Sequence, residues 1–154
     1  NMLATREAGK ALASALAVNS VLKELDVSGN ATYPNGGYWS NGDGPGFAQE
    51  VAIGISANGA LEKLLMGANS FKGIEAGKAL GDAIAVNTVL KELDISGGDY
   101  TNEKCDAEFV KGFSPGLSTN GALASLDLSQ NKIPPAQLDP IKALCESKQI
   151  TLKE

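Results

Sequence analysis

Two stretches of the chain are nearly the same sequence, and they decide its fold. Residues Glu7 to Gly29 read EAGKALASALAVNSVLKELDVSG, and residues Glu75 to Gly97 read EAGKALGDAIAVNTVLKELDISG. The two stretches agree at 18 of 23 positions and lie 68 residues apart. An internal repeat of this kind indicates a fold built by stacking one small unit several times.

Weaker copies of the same unit fill the rest of the chain. A second copy, FAQEVAIGISANGALEKLLMGAN, runs from Phe47 to Asn69, and a fourth, AEFVKGFSPGLSTNGALASLDLSQN, runs from Ala107 to Asn131. A truncated fifth copy reads LDPIKALCESKQITLKE and extends to Glu154. All four longer copies follow the template L-x-x-L-x-L-x-x-N, although the third has Gly98 where the asparagine is expected. We therefore expect residues 1–154 to form one repeat domain.

Each unit contains the patterns of a helix and of a strand. Apolar residues recur at the spacing of one helix face from Ala8 to Leu16, and the stripe is mostly alanine, which would let the helix lie close to the strands. Leu25 and Val27 alternate with polar neighbours, which predicts a strand with one exposed face. The last copy predicts a short strand at residues 150–152.

These features resemble leucine-rich repeat proteins of the long, helix-containing kind, such as ribonuclease inhibitors, Ran GTPase-activating proteins and sensor domains of innate-immune receptors. The resemblance covers nearly the whole chain. It implies an α/β solenoid, in which parallel strands line a concave face and helices line the convex face. Because this family mostly shares a scaffold for binding, the resemblance implies a protein-interaction module and does not by itself assign an activity.

Asparagines mark the ends of the helices and of the strands in these copies. Since asparagine tolerates a left-handed backbone, we expect the first set to close the helices in that conformation. We expect the second set to satisfy backbone groups in the turns and to align in a ladder. The helix-ending set is Asn19, Asn58, Asn87 and Asn120, and the strand-ending set is Asn30, Asn69 and Asn131.

Exposed strand positions are predicted to form rows across the sheet. The first row contains Glu24, Lys63, Glu92 and Ser125, and the second contains Asp26, Leu65, Asp94 and Asp127. Five of these side chains are acidic and one is basic, so most of the chain's formal net charge of −5 is expected on this face. The rows are either a solvated polar surface or a docking face for a basic protein partner, with Leu65 as a candidate apolar anchor.

An insertion from Ala31 to Gly46 carries the only tryptophan, Trp39, together with Tyr33 and Tyr38. These aromatic residues either cover the first repeat or contribute to binding a partner, since Tyr and Trp are frequent hot-spot residues. Asp43, before Gly44 and Pro45, is predicted to be a helix N-cap and not a calcium ligand.

Composition excludes several kinds of chemistry. The chain has no histidine, so it has no Ser-His-Asp or Cys-His site and no His-ligated metal. Its two cysteines are too few for a disulfide framework or a cysteine-rich zinc site, and they favour an intracellular, cytoplasmic location. The negative charge disfavours nucleic acid, and no apolar run is long enough to span a membrane.

The sequence thus favours a non-enzymatic module that needs no cofactor or metal and binds a protein on its concave sheet and the adjacent loop edge. The resemblance also permits a GTPase-activating type of regulator, and the aromatic insertion permits a small-ligand or glycan binder acting through residues 31–46. The first repeat has no visible cap, so self-association at that end is a further expectation.

Overall fold

A computed structural model describes residues 4–30, 43–98 and 104–154. Helices and strands alternate through these ranges, and each repeat contributes one helix followed by one three-residue strand. The elements are α1 (Arg6–Val18), β1 (Glu24–Asp26), α2 (Gly44–Ala57), β2 (Lys63–Leu65), α3 (Ile74–Val86), β3 (Glu92–Asp94), α4 (Ala107–Thr119), β4 (Ser125–Asp127), α5 (Pro135–Lys148) and β5 (Thr151–Lys153). None of the helices in these ranges combines the length and apolarity required to cross a bilayer.

The predicted solenoid is confirmed. The five strands form one parallel sheet in the order β1-β2-β3-β4-β5, so each repeat pairs with the next one along the chain. The central leucine of each strand faces the helices, and in the three middle repeats Leu64, Leu93 and Leu126 are fully buried. Because side chains alternate along a strand, the residues on either side of these leucines point away from the helices.

Small residues bring neighbouring helices close together. A Cβ atom added to Gly116 would collide with the carbonyl of Gly81 in the preceding helix, and one added to Gly54 would lie 2.7 Å from the Cα of Ala13. These glycines allow close contact between helices, and the prediction that the alanine stripe lets a helix lie close to the strands stays a prediction. Behind the strands, the rings of Phe47, Phe71 and Phe109 stack in a row with centroids 6.5 and 5.8 Å apart.

The asparagines at the helix ends do not adopt the left-handed conformation that was predicted. Asn87, for example, has φ −78° and ψ 124°, which is extended backbone. Its Oδ1 accepts hydrogen bonds from the N–H groups of Val89 (2.9 Å) and Leu90 (2.8 Å), and its Nδ2 donates to the carbonyls of Ile55 (2.8 Å) and Asn58 (3.0 Å). Asparagine is needed here because Oδ1 of its side chain accepts the hydrogen bonds that stabilise the turn, while Nδ2 donates to the preceding repeat.

The asparagines after the strands form the predicted second row of hydrogen bonds. Asn69 donates from Nδ2 to the carbonyls of Val27 and Met66 and accepts at Oδ1 from the N–H of Asn30 (3.0 Å). Asn131 repeats this pattern two strands later with Cys105 as the N–H donor. Both rows stabilise the stack because they satisfy buried backbone groups between repeats.

Candidate functional site

The sheet face that points away from the helices is called the open face here. It is built from the first and third residues of every strand. The register aligns Glu24 with Lys63, Lys63 with Glu92 and Glu92 with Ser125. In the second row, Asp26 aligns with Leu65, Leu65 with Asp94 and Asp94 with Asp127. The structure therefore brings these predicted site residues together in the predicted order.

The fifth strand adds two residues that the sequence rows omitted. Thr151 continues the first row beside Ser125, and Lys153 continues the second beside Asp127. The Lys153 ammonium lies 2.6 Å from a carboxylate oxygen of Asp127. Five acidic side chains on the open face are thus accompanied by two basic ones, so the face is less acidic than the sequence rows suggested.

Lys63 forms ion pairs with both acidic side chains of the first row. Its Nζ lies 3.1 Å from Glu24 and 3.9 Å from Glu92, on the two flanking strands. The hydrogen bond and ion pair with Glu24 raise the pKa of Lys63, so its positive charge is secure at neutral pH. Because the pairs are exposed, they contribute little to stability, but they reduce the repulsion between the two glutamates.

Three aspartates of the second row also end their strands. Asp26, Asp94 and Asp127 each accept a hydrogen bond at Oδ1 from the backbone N–H two residues later, over 2.9, 2.8 and 2.9 Å. The residue two positions later is a serine in every case, and the serine hydroxyl also donates to Asp26 and to Asp127. The sequence contains the motif Asp-x-Ser at the same position of three repeats, and this motif could have predicted the hydrogen bonds.

These contacts shift the pKa of two carboxyl groups. Hydrogen bonds from the Ser28 side chain and backbone lower the pKa of Asp26. Burial raises the pKa of Asp127, but the hydrogen bonds from Lys153 and Ser129 outweigh it, and the net shift is downward. Both groups therefore remain ionised well below neutral pH.

The second repeat breaks the Asp-x-Ser pattern with Leu65 and Gly67. The third repeat favours glycine at position 67, because a Cβ there would lie 2.5 Å from the hydroxyl of Ser96 and 3.0 Å from Oδ1 of Asp94. Leu65 is half-buried on the open face, between Asp26 and Asp94. A shallow depression of about 230 Å³ lies beside it, lined by Lys63, Leu65, Glu92, Leu93, Asp94, Ser125 and Asp127.

Asp94, like Asp26 and unlike Asp127, forms no ion pair among the described residues. Within the described ranges, Asp127 pairs with Lys153 and no basic side chain lies within ion-pair distance of Asp94. Asp94 therefore presents a carboxylate beside an apolar side chain and a small depression. This combination suits a basic residue with an apolar neighbour.

The structure tests the candidates of the insertion only at Asp43. Tyr33, Tyr38 and Trp39 fall outside the described residues, so the interface and ligand-binding interpretations of the insertion stay predictions. Asp43, at its end, is confirmed as the N-cap of α2, and its Oδ1 accepts from the Gly46 N–H over 2.7 Å.

The single arginine is held on the helix side of the first two repeats. Arg6 donates to Gln49 (2.8 Å) and to Glu50 (3.0 Å) on α2. Neither cysteine is activated, because burial raises the pKa of both the Cys105 and the Cys145 thiols. A GTPase-activating role that used Arg6 would have to break these bonds to α2.

No family model matches the sequence, and no curated protein matches it. The fold is similar to a solved structure described as "Leiomodin-1 Actin-Binding Site 2 (ABS2)", with a TM-score of 0.69. The two chains are 11% identical, and the match covers 93% of this chain and 76% of that one. This likeness supports the leucine-rich-repeat fold of the chain.

Proposed function

We propose that the chain is a protein-interaction module that binds a basic segment of a partner on the open face. The observation that carries the proposal is the environment of Asp94, whose carboxylate lies beside Leu65 and the shallow depression. A lysine or arginine of the partner would pair with Asp94 and Asp26, and an adjacent apolar side chain would contact Leu65. The proposal assigns no catalytic role to any residue.

The flanking ion pairs support this placement of the partner. Lys63 pairs with the glutamates of the first row and Lys153 pairs with Asp127, whereas Asp26 and Asp94 form no ion pair among the described residues and are available to a basic side chain of the partner. Charge at such a position acts mainly on association rate and on the choice of partner. The expected complex is therefore sensitive to salt.

The finer features of the resemblance are part of the same proposal. Each repeat contains a helix of 13 or 14 residues, as expected for the long, helix-containing subtype. The two free cysteines are buried, which fits a reducing intracellular compartment.

The test is a selection of random displayed peptides on the immobilised chain. The account predicts enrichment of peptides that place Lys or Arg next to an apolar residue. Asp26→Asn/Asp94→Asn should weaken their binding at least about tenfold, while each asparagine keeps the Oδ1 that accepts the backbone N–H. The matched control is Asp139→Asn/Glu146→Gln on the exposed surface of α5, which removes the same two charges and should leave binding unchanged.

Two results would contradict the proposal: enrichment of peptides without basic residues, or equal binding to both double variants. Actin is a useful defined probe to include, because the similar structure is described as an actin-binding site. Actin binding that is lost in Asp26→Asn/Asp94→Asn would identify a partner for the open face.

A further inference from the structure

The helix-ending asparagines differ in the residue that follows them. Glycine follows Asn58 and Asn120, whereas serine follows Asn19 and threonine follows Asn87. An Asn-Gly pair is chemically labile, because the glycine nitrogen can attack the amide carbon of the asparagine side chain and no Cβ on the glycine obstructs that attack. Two of the four helix ends therefore carry a pair that can lose its side-chain amide.

The turns do not require these two glycines. A Cβ atom added to Gly59 or to Gly121 would meet no atom within 4 Å, and neither residue has a positive φ. Thr88 occupies the equivalent position in the third repeat, where Asn87 forms the same hydrogen bonds to the turn. The fold would therefore accept a side chain at both positions, and backbone geometry does not explain the glycines.

The stacked repeats hold the Asn58 amide at both its oxygen and its nitrogen. Oδ1 accepts from the N–H groups of Ala60 (2.9 Å) and Leu61 (2.7 Å), and Nδ2 donates to the carbonyls of Leu16 (2.7 Å) and Asn19 (2.9 Å) in the preceding repeat. Asn58 is also only 4% exposed. Loss of Nδ2 from this position would break two buried hydrogen bonds between repeats.

Asn120 is held in the same way. Its Oδ1 accepts from Ala122 (3.0 Å) and Leu123 (2.7 Å), and its Nδ2 donates to the carbonyls of Ile84 (2.5 Å) and Asn87 (3.3 Å). Each repeat of a solenoid contacts mainly its neighbours, so the contact between two repeats, called a joint here, can open locally. The hydrogen bonds protect each Asn-Gly pair only while its joint is closed.

We propose that Asn58 and Asn120 are deamidation sites, protected in the stacked repeats and released when a joint opens. The Gly59 nitrogen loses its proton to water or hydroxide and bonds to Cγ of Asn58, while the Cγ–Nδ2 bond breaks and Nδ2 leaves as ammonia. Water then opens the five-membered imide at either carbonyl, which gives aspartate or isoaspartate. Gly121 and Asn120 react in the same way.

Deamidation prevents the joint from closing again. Aspartate has no donor for the carbonyls of Leu16 and Asn19, and isoaspartate also adds a methylene group to the backbone of the turn. A reversible opening thus becomes an irreversible loss of stacking. The reaction takes place at the joints and not on the open face, so it does not depend on the proposed peptide binding.

The test compares deamidation of the folded and the unfolded chain at neutral pH, in native buffer and in guanidinium chloride. Tandem mass spectrometry localises the modification and separates it from Asn35 and Asn41, which also precede glycine and lie outside the described residues. Asn58 and Asn120 should react at least about tenfold more slowly in native buffer than in denaturant. In denaturant they should react faster than Asn87.

Two variants test the role of the glycines. Gly59→Thr/Gly121→Thr copies the third repeat and keeps both asparagines, and Thr88→Gly should make Asn87 as reactive in denaturant as Asn58. After long incubation in denaturant and dilution, Gly59→Thr/Gly121→Thr should recover its native circular dichroism more completely than the wild type, each relative to its own unincubated sample.

Three results would overturn the proposal. The first is an equal rate of reaction at Asn58 and Asn120 in the folded and unfolded chains. The second is an equal rate at Asn58 and Asn87 in denaturant. The third is a wild type that refolds as completely as Gly59→Thr/Gly121→Thr after the same incubation.

Discussion

The helix-ending asparagines offer a way to measure how much the hydrogen bonds from Nδ2 to the preceding repeat contribute to stability. Asn87 and Asn19 occupy equivalent positions, and both accept two backbone hydrogen bonds at Oδ1. Only Asn87 also donates from Nδ2 to the preceding repeat, to the carbonyls of Ile55 and Asn58. Replacement by aspartate keeps the accepting oxygen and converts the donor nitrogen into a second acceptor.

We expect Asn87→Asp to be far more destabilising than Asn19→Asp. In Asn87→Asp, the carbonyls of Ile55 and Asn58 lose the Nδ2 donor, and only the Ile55 carbonyl keeps another, the Asn58 N–H at 3.2 Å. The free energy of unfolding should therefore fall by at least about 1–3 kcal/mol. Asn19→Asp changes an amide that has no inter-repeat acceptor among residues 4–30, 43–98 and 104–154, so its stability should stay within about 0.5 kcal/mol of the wild type.

Urea denaturation at one fixed protein concentration measures both variants. The difference in unfolding free energy between Asn87→Asp and the wild type should become smaller as the pH is lowered. A carboxyl group facing two carbonyls has a raised pKa in the folded state, so protonation favours folding and restores a donor. Equal losses for the two variants would show that the Nδ2 bonds do not hold the repeats together, which would refute the role assigned to these asparagines.

Three further outcomes are expected in denaturation experiments. Leu93→Ala should lower the free energy of unfolding by about 2–5 kcal/mol because the Leu93 side chain is fully buried. Leu25→Ala should lower it clearly less because Leu25 is half-buried, and equal losses would contradict this difference in burial. Gly116→Ala should destabilise strongly because its Cβ would collide with the neighbouring helix, whereas Gly121→Ala has open space and should be tolerated. The pKa of Asp127 is lowered in the folded state, so its carboxylate stabilises the fold above the ordinary value of 3.8, and this contribution is lost as the pH falls through the folded-state pKa. The free energy of unfolding of Asp127→Asn should therefore fall less steeply in acid than that of the wild type. An equally steep fall would contradict the contribution of Asp127.

The fold could be predicted because four copies of one template stood in register. With a strand period of two, placing Leu64 and Leu93 in the core also places Lys63 and Leu65 on the opposite face, and the observed register agrees, although both side chains are half-buried there and not fully exposed. Lys153 was missed because the fifth copy is truncated and lacks the template that would align its strand.

Two features depended on contacts between repeats, which no single repeat reveals. The backbone at Asn87 was predicted from the conformations that asparagine tolerates, but the observed turn follows from its hydrogen bonds to the second repeat. Likewise, the exposure of Leu22 against the burial of Leu90 depends on the neighbour and not on the sequence of the unit.

The most direct test of the central claim maps a selected peptide on the ¹⁵N-labelled chain by NMR. The account predicts that the largest amide shifts lie in β2, β3 and β4, around Leu65, Asp94 and Ser125, and that they vanish in Asp26→Asn/Asp94→Asn. Shifts confined to the helices, with the strand amides unchanged at saturation, would contradict the assignment of the open face as the binding surface.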